Sequence, residues 1–170
     1  STDVQVTVTG ATGFIALHCI VQLLEAGYRV CGTVRSLERA DAVGRALAEV
    51  TGLDRLTLCA ASLTDDAGWD EAVAGSRFVL HTASPLPARQ PRDEAELIAP
   101  ARDGTLRVLR AASAAGVARV VVTSSMAAVL SGHGRTAERV FTEDDWSDLA
   151  GTMPAYSRGK TLAEQAAWAY

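Results

Sequence analysis

Short β-branched apolar runs alternate along this chain with longer stretches in which Ala and Leu recur at helical spacing. VQVTVT at Val4–Thr9 leads into the helix-period segment Phe14–Ala26, and YRVCGTV at Tyr28–Val34 leads into Leu37–Val50. The rhythm continues with RLTLCA at Arg55–Ala60, a short helix near Ala67–Ala74, RFVLHT at Arg77–Thr82, a long helix over 93–114, and ARVVVTS at Ala118–Ser124. This predicts five strands separated by helices. The strands are apolar almost throughout rather than alternating, as a parallel sheet covered by helices on both faces requires, so the expected class is a doubly wound α/β fold. Gly27, Gly52, Gly75 and Gly116 each fall between a helix and the next strand, where a left-handed C-cap suits glycine. From Met126 to Pro154 the pattern gives way to a long polar loop, of a length usually associated with function. A last helix starts near Pro154 and is still running at Tyr170 without a stop signal, so the chain reads as cut.

Composition narrows the class. At 170 residues the chain suits one domain, residues 1–170. A net charge of -4 gives no basic footprint for nucleic acid. There is no apolar leader and no run near the ~18 apolar residues of a membrane span, so a soluble, cytoplasmic protein with no membrane partner is expected. Cys19, Cys31 and Cys59 are odd in number and lack CxxC spacing, which reads as reduced core thiols. No metal site is expected: Glu143, Asp144, Asp145 and Asp148 read as a solvated loop face, and His133 as a solvated loop histidine. Trp69, Trp146 and Trp168 form no stacking stripe.

Candidate chemistry begins at TGATGFIA, Thr9–Ala16, directly after the first strand. Gly10, Gly13 and Ala16 stand at G-x-x-G-x-x-A spacing. The first glycine permits the turn, the second lets a pyrophosphate approach, and a small third residue lets helix pack on strand. The helix N-terminus offers free N–H groups to phosphate. The expectation is a Rossmann-type nucleotide site contacted by Gly10, Thr12, Gly13, Phe14 and Ile15. At the end of the second strand, CGTVRS has no acid to accept from a ribose 2′-OH. Arg35 instead offers a guanidinium to a 2′-phosphate, so NADP(H) is expected over NAD(H).

Tyr156 and Lys160, in YSRGK, stand four apart and share one helix face. An ammonium near a phenol favours phenolate, which suits proton donation to an alkoxide forming at a carbonyl carbon. Ser125 closes the fifth strand in TSSM at Thr123–Met126, at the carboxyl edge where open α/β sheets bind ligands.

These motifs, with VRS at Val34–Ser36, HTASPLP at His81–Pro87, GTLRVLRAA at Gly104–Ala112, VVVTSSMAAV at Val120–Val129 and YSRGKTLAEQAAW at Tyr156–Trp168, resemble the extended short-chain dehydrogenase/reductases of the NAD-dependent epimerase/dehydratase superfamily. The branch they resemble is the dihydroflavonol reductase and cinnamoyl-CoA reductase group, which includes bacterial aldehyde and ketone reductases. The resemblance implies a catalytic triad of Ser125, Tyr156 and Lys160. Tyr156 would donate the proton, Lys160 would also bind the nicotinamide ribose, and Ser125 would orient the carbonyl, with Ser124 as the alternative serine. It also implies cofactor contacts at Ser62, Leu63, Thr82, Ala83, Ser84, Thr123 and Ser124, with His81 on the same segment and Pro154 to Ser157 bordering the nicotinamide. Ser62-Leu63 replaces the family's usual Asp-Leu, and Arg107 stands where Asn is common. Members of this family continue for a comparable stretch after YxxxK, so the resemblance implies that a C-terminal substrate domain is missing here.

The function expected is NADPH-dependent reduction of an aldehyde, ketone or acyl-thioester carbonyl, with a small-molecule substrate and a homodimer left open. Nucleotide-sugar epimerisation or dehydration and hydroxysteroid oxidation are alternatives on the same scaffold. A non-catalytic NADPH sensor is the alternative of another class, against which the presence of Tyr156 and Lys160 argues.

Overall fold

A computed structural model describes residues 3–86, 92–134 and 139–170. Pro87, the last residue of HTASPLP, lies outside the described residues, as does 135–138 of the long loop. The chain divides into two compact units, Ser1–Ala83 with Arg107–Thr123, and Ser84–Leu106 with Ser124–Tyr170.

The first unit holds the sheet. Its strands are β1 (Gln5–Val8), β2 (Arg29–Val34), β3 (Leu56–Ala60), β4 (Ser76–His81) and β5 (Arg119–Val122). All neighbours pair in parallel, in the order β3-β2-β1-β4-β5. The helices are α1 (Phe14–Glu25), α2 (Ala40–Ala48), α3 (Trp69–Val73) and α4 (Ala95–Ala114), the last contributing its C-terminal half to this unit. The stretch 37–50, expected as one helix, opens with a 3-10 turn at Leu37–Arg39 before α2.

Alternation of side chains across each strand sorts the core onto two faces. On one face Val6, Val8, Val30 and Val34 pack with Ala16, Ile20 and Leu24 of α1 and Val43 and Leu47 of α2. On the other, Cys31, Cys59 and Val79 pack with Trp69, Ala72 and Val73 of α3 and Val108, Ala111 and Ala112 of α4. The doubly wound Rossmann-type sheet read from the sequence is what these two cores build.

Gly27, Gly75 and Gly116 take the expected left-handed conformation, at φ +84°, +70° and +70°. Gly52 does not. Helix α2 ends at Ala48, short of Gly52, and the Leu47 carbonyl is closed by the amides of Val50 (3.0 Å) and Thr51 (2.9 Å), so the turn is complete before the glycine is reached. None of the three cysteines is in a disulfide, and Cys31 and Cys59 approach to 2.6 Å between sulfurs. Their hydrogen bond, with burial behind it, pushes the Cys31 thiol pKa up.

In the second unit α5 (Ala155–Ala169) packs against a 3-10 turn at Met126–Ala128. Its Gly159 faces the first half of α4, where an added Cβ would lie 3.6 Å from Ala101 Cβ. The long loop is less solvated than its polarity suggests. Ser147 is buried, donates to the Ala127 carbonyl (2.8 Å) and accepts from the Ser131 amide (2.9 Å). Gly132, at φ +82°, lets the backbone near Asp148 come so close that a Cβ would meet the Asp148 carbonyl oxygen at 2.1 Å. His133 is half-buried rather than solvated, because its Nε2 lies 3.1 Å from the Val129 carbonyl oxygen and its ring packs 4.9 Å from that of Phe141. Of the acidic run, Asp145 is drawn in by the Thr142 amide (2.9 Å) and by Arg139, while Glu143, Asp144 and Asp148 stay exposed. No helix among the described residues is long and apolar enough to cross a membrane.

Candidate active site

After β1 the chain turns outward to β2 and β3 and returns as β4 on the other side of β1. The connections that leave the carboxyl ends of β1 and β4 therefore run in opposite directions along the sheet, and their parting marks the place where open α/β sheets bind ligands. Thr9 fastens the two ends. Its amide donates to the Leu80 carbonyl (3.0 Å), its Oγ1 accepts from the Ala83 amide (3.0 Å) and lies 2.8 Å from His81 Nδ1, and its carbonyl accepts from Thr82 Oγ1 (2.5 Å). Thr33 on β2 holds the other side, its Oγ1 accepting from the Gly10 amide (2.9 Å) and its carbonyl from the Ala11 amide (2.7 Å).

Gly10 sits in this clamp at φ +72°, and a Cβ there would meet the Cα and Cβ of Ala83 at 3.0 Å. Gly13 is the N-cap of α1 and has no side chain to occupy the first-turn amides. A Cβ on Gly13 would come 3.2 Å from the Gly10 carbonyl oxygen. Thr12, Gly13, Phe14 and Ile15 face solvent, whereas Ala11 and Ala16 are buried beneath them. The result is a cradle of open amides at the positive end of a helix dipole, shaped by missing Cβ atoms, and it fits a pyrophosphate. Gly32 extends the same design into β2: a Cβ there would meet Ala11 Cβ at 3.1 Å and Leu58 Cδ2 at 2.9 Å. The signal for Gly32 in the sequence is a glycine inside an apolar strand, which marks a close approach.

Arg35 follows β2 directly and is exposed. Beyond β3, Ser62 Oγ lies 3.0 Å from Thr64 Oγ1, and Arg107 supports the adjacent backbone by donating from Nη1 to the Leu63 carbonyl (2.9 Å) and from Nε to Asp66 (2.5 Å). Arg107 therefore has a bracing role of its own where the family's Asn is absent. Thr123 donates its amide to the His81 carbonyl (3.0 Å), and Ser84 is half-buried.

In the second unit α5 presents Tyr156 and Lys160 on one face, Tyr156 half-buried and Lys160 only 8% exposed. Burial pushes the Lys160 ammonium below the ordinary lysine range, and the Glu164 carboxylate partly offsets it. Lys160 is also the sole lysine among 16 basic residues. The two serines of TSSM differ in their bonding. Ser124 Oγ donates to the Glu164 carboxylate, while Ser125 Oγ accepts the Ala127 amide (3.2 Å) at the head of the 3-10 turn and retains its proton for donation. Glu164 was missed in the sequence, where only its four-residue spacing from Lys160 signalled it.

The fold and the glycine cradle define a dinucleotide-binding α/β protein, and comparison with known proteins gives the family. Residues 6–170 match the NAD dependent epimerase/dehydratase family, to which this chain belongs. It is 45% identical to cinnamoyl-CoA reductase 1 of Petunia hybrida over 167 residues, covering 96% of this chain and 48% of that protein. A putative anthocyanidin reductase of Ginkgo biloba is 41% identical over 97% of this chain and 50% of its own length. Among solved structures, yeast methylglyoxal/isovaleraldehyde reductase Gre2 complexed with NADPH superposes with a TM-score of 0.84 at 30% identity, covering 97% of this chain and 52% of that one. The chain spans about half the length of the relatives it matches.

Proposed function

We propose that this chain is part of an NADPH-dependent reductase that acts on a small-molecule carbonyl, an aldehyde, ketone or acyl-thioester. The observation that carries the reading is a buried lysine four residues beyond a half-buried tyrosine on α5, in a chain whose β1–α1 turn is an anion cradle. Burying an ammonium costs stability, so a buried lysine one helical turn from a tyrosine argues for use. The names of the relatives support the substrate class, and the NADPH bound to Gre2 supports the cofactor.

Gly10, Thr12, Gly13, Phe14 and Ile15 would hold the pyrophosphate, Arg35 the 2′-phosphate, Ser62 and Leu63 the adenine, and Thr82, Ala83 and Ser84 the stretch toward the nicotinamide. When bound, the cofactor supplies the hydride. Ser125 donates a hydrogen bond to the substrate oxygen, which fixes the carbonyl and favours charge developing there. Tyr156 gives its phenolic proton to that oxygen as the alkoxide forms. Lys160 stabilises the phenolate left behind. Of the two serines, Ser125 is the better candidate because the Ser124 proton is already committed to Glu164. Three cysteines, odd in number and without CxxC spacing, support a cytoplasmic location.

The test is NADPH oxidation by the full-length protein against a panel of aldehydes, ketones and acyl-thioesters. Net consumption is expected, and Tyr156→Phe is expected to lower kcat by ~10²-fold or more with NADPH affinity retained. An epimerase regenerates its cofactor and would show no net consumption. Wild-type turnover by Tyr156→Phe would remove the mechanism.

A further inference from the structure

We propose that Glu164 is a positioning residue for this reaction, its carboxylate tying Ser124, and with it the backbone of Ser125, to the helix that carries Tyr156 and Lys160. The inference rests on the reductase reading above. Tyr156, Lys160, Glu164 and Trp168 recur at four-residue intervals, so each stands about one turn beyond the last on α5 and within reach of its neighbours in the series.

Both oxygens of Glu164 are oriented. One accepts from Ser124 Oγ, a bond spanning 40 residues of sequence, and the other accepts from Trp168 Nε1 at 3.2 Å. A carboxylate held from two sides is a fixed point, unlike a surface glutamate free to choose among rotamers. Ser124 precedes Ser125 directly, and Ser125 is itself pinned by the Ala127 amide, so the position of its hydroxyl follows the backbone that Glu164 anchors. The carboxylate also acts on Lys160 through its charge, opposing the desolvation of the buried ammonium. Arg158 on α5 pairs with Glu94 at 3.3 Å, and Arg102 on α4 with Asp103 at 2.8 Å, while Glu96 on α4 is exposed.

A hydroxyl that must meet a reacting oxygen tolerates little displacement, so loss of the anchor falls on the chemical step and spares cofactor binding. The test uses full-length protein and steady-state kinetics with NADPH and a carbonyl that the wild type reduces. Glu164→Ala and Ser124→Ala are each expected to lower kcat by ~10-fold or more, and in Glu164→Ala the Kd for NADPH is expected to stay within about twofold of wild type. The double variant is expected to be no worse than the weaker single one, because both remove one bond. Glu164→Gln, whose amide oxygen still accepts from Ser124, is expected to recover most of kcat.

Wild-type kcat in Glu164→Ala would overturn the inference. So would an additive double variant, or kcat and NADPH affinity declining together with the folded fraction. Tyr156→Phe is measured alongside. If it loses turnover while Glu164→Ala keeps it, only the positioning role falls. If Tyr156→Phe keeps turnover, or the wild type reduces no carbonyl, the reductase reading falls and this inference with it.

Discussion

At the scale of single residues, the proposed function sets terms that stability would have to accept. Gly10 shows it sterically: at φ +72° an alanine is strained, and its Cβ would press on Ala83 at 3.0 Å. Gly10→Ala is expected to cost about 1–3 kcal/mol in urea unfolding and to weaken NADPH binding by ~10-fold or more. Lys160 shows it electrostatically. Its pKa is lowered from 10.5 by burial, so between the lowered native value and 10.5 the unfolded chain binds more protons, and stability rises with pH across that window. Below the window the folded protein carries the net cost of the buried ammonium, what desolvation leaves after the offset from Glu164. Lys160→Met is therefore expected to raise the Tm at pH 7 while cutting turnover by ~10²–10⁴-fold. Its stability advantage should shrink as melts are repeated toward pH 10. A lower Tm at pH 7 would mean that contacts of the ammonium outweigh its desolvation.

Elements show how a departure from the family pattern is absorbed. The segment after β3 is braced by Gly68, where a Cβ would lie 2.1 Å from the Ala60 carbonyl oxygen, and by Trp69, whose Nε1 donates to the carbonyls of Ser62 (3.0 Å) and Asp65 (3.1 Å). Arg107 completes the brace from α4. Its partner Asp66 has a side chain 88% exposed, so the ion pair itself is worth little, whereas the bond to the Leu63 carbonyl is charge-assisted and part-buried. Arg107→Ala is expected to cost about 1–2 kcal/mol, and Asp66→Ala under about 0.5, each measured by urea unfolding. Equal losses would put the weight on the ion pair instead. The strands and most helices were legible because a sheet buried on both faces writes near-continuous apolar runs, and the glycine turn was legible because its requirements are local. Gly52 misled because a helix end is decided by which carbonyls are already capped. Arg107 with Leu63, Ser124 with Glu164, and Cys31 with Cys59 were illegible, since each pair is joined only by register or packing across 28 to 44 residues.

For the whole molecule, the same scaffold serves reductases and epimerases, so the fold alone does not decide the activity. The cofactor's fate and identity do, and identity is accessible without turnover. A ligand that binds only the folded state stabilises it by RT ln(1 + [L]/Kd), about 2.7 kcal/mol at 100 times Kd. The exposed guanidinium of Arg35, directly after β2, is the group we propose to distinguish a 2′-phosphate from a 2′-hydroxyl. NADPH is therefore expected to raise the unfolding midpoint in a concentration-dependent way, with NADH needing ~10-fold or more to match it. Arg35→Ala should bring the two curves together by weakening NADPH while leaving NADH unchanged. If NADH shifts the midpoint as strongly as NADPH in the wild type, the 2′-phosphate is not recognised and Arg35 is a surface residue. If Arg35→Ala weakens both alike, the residue supports the end of β2 and has no part in choosing the nucleotide.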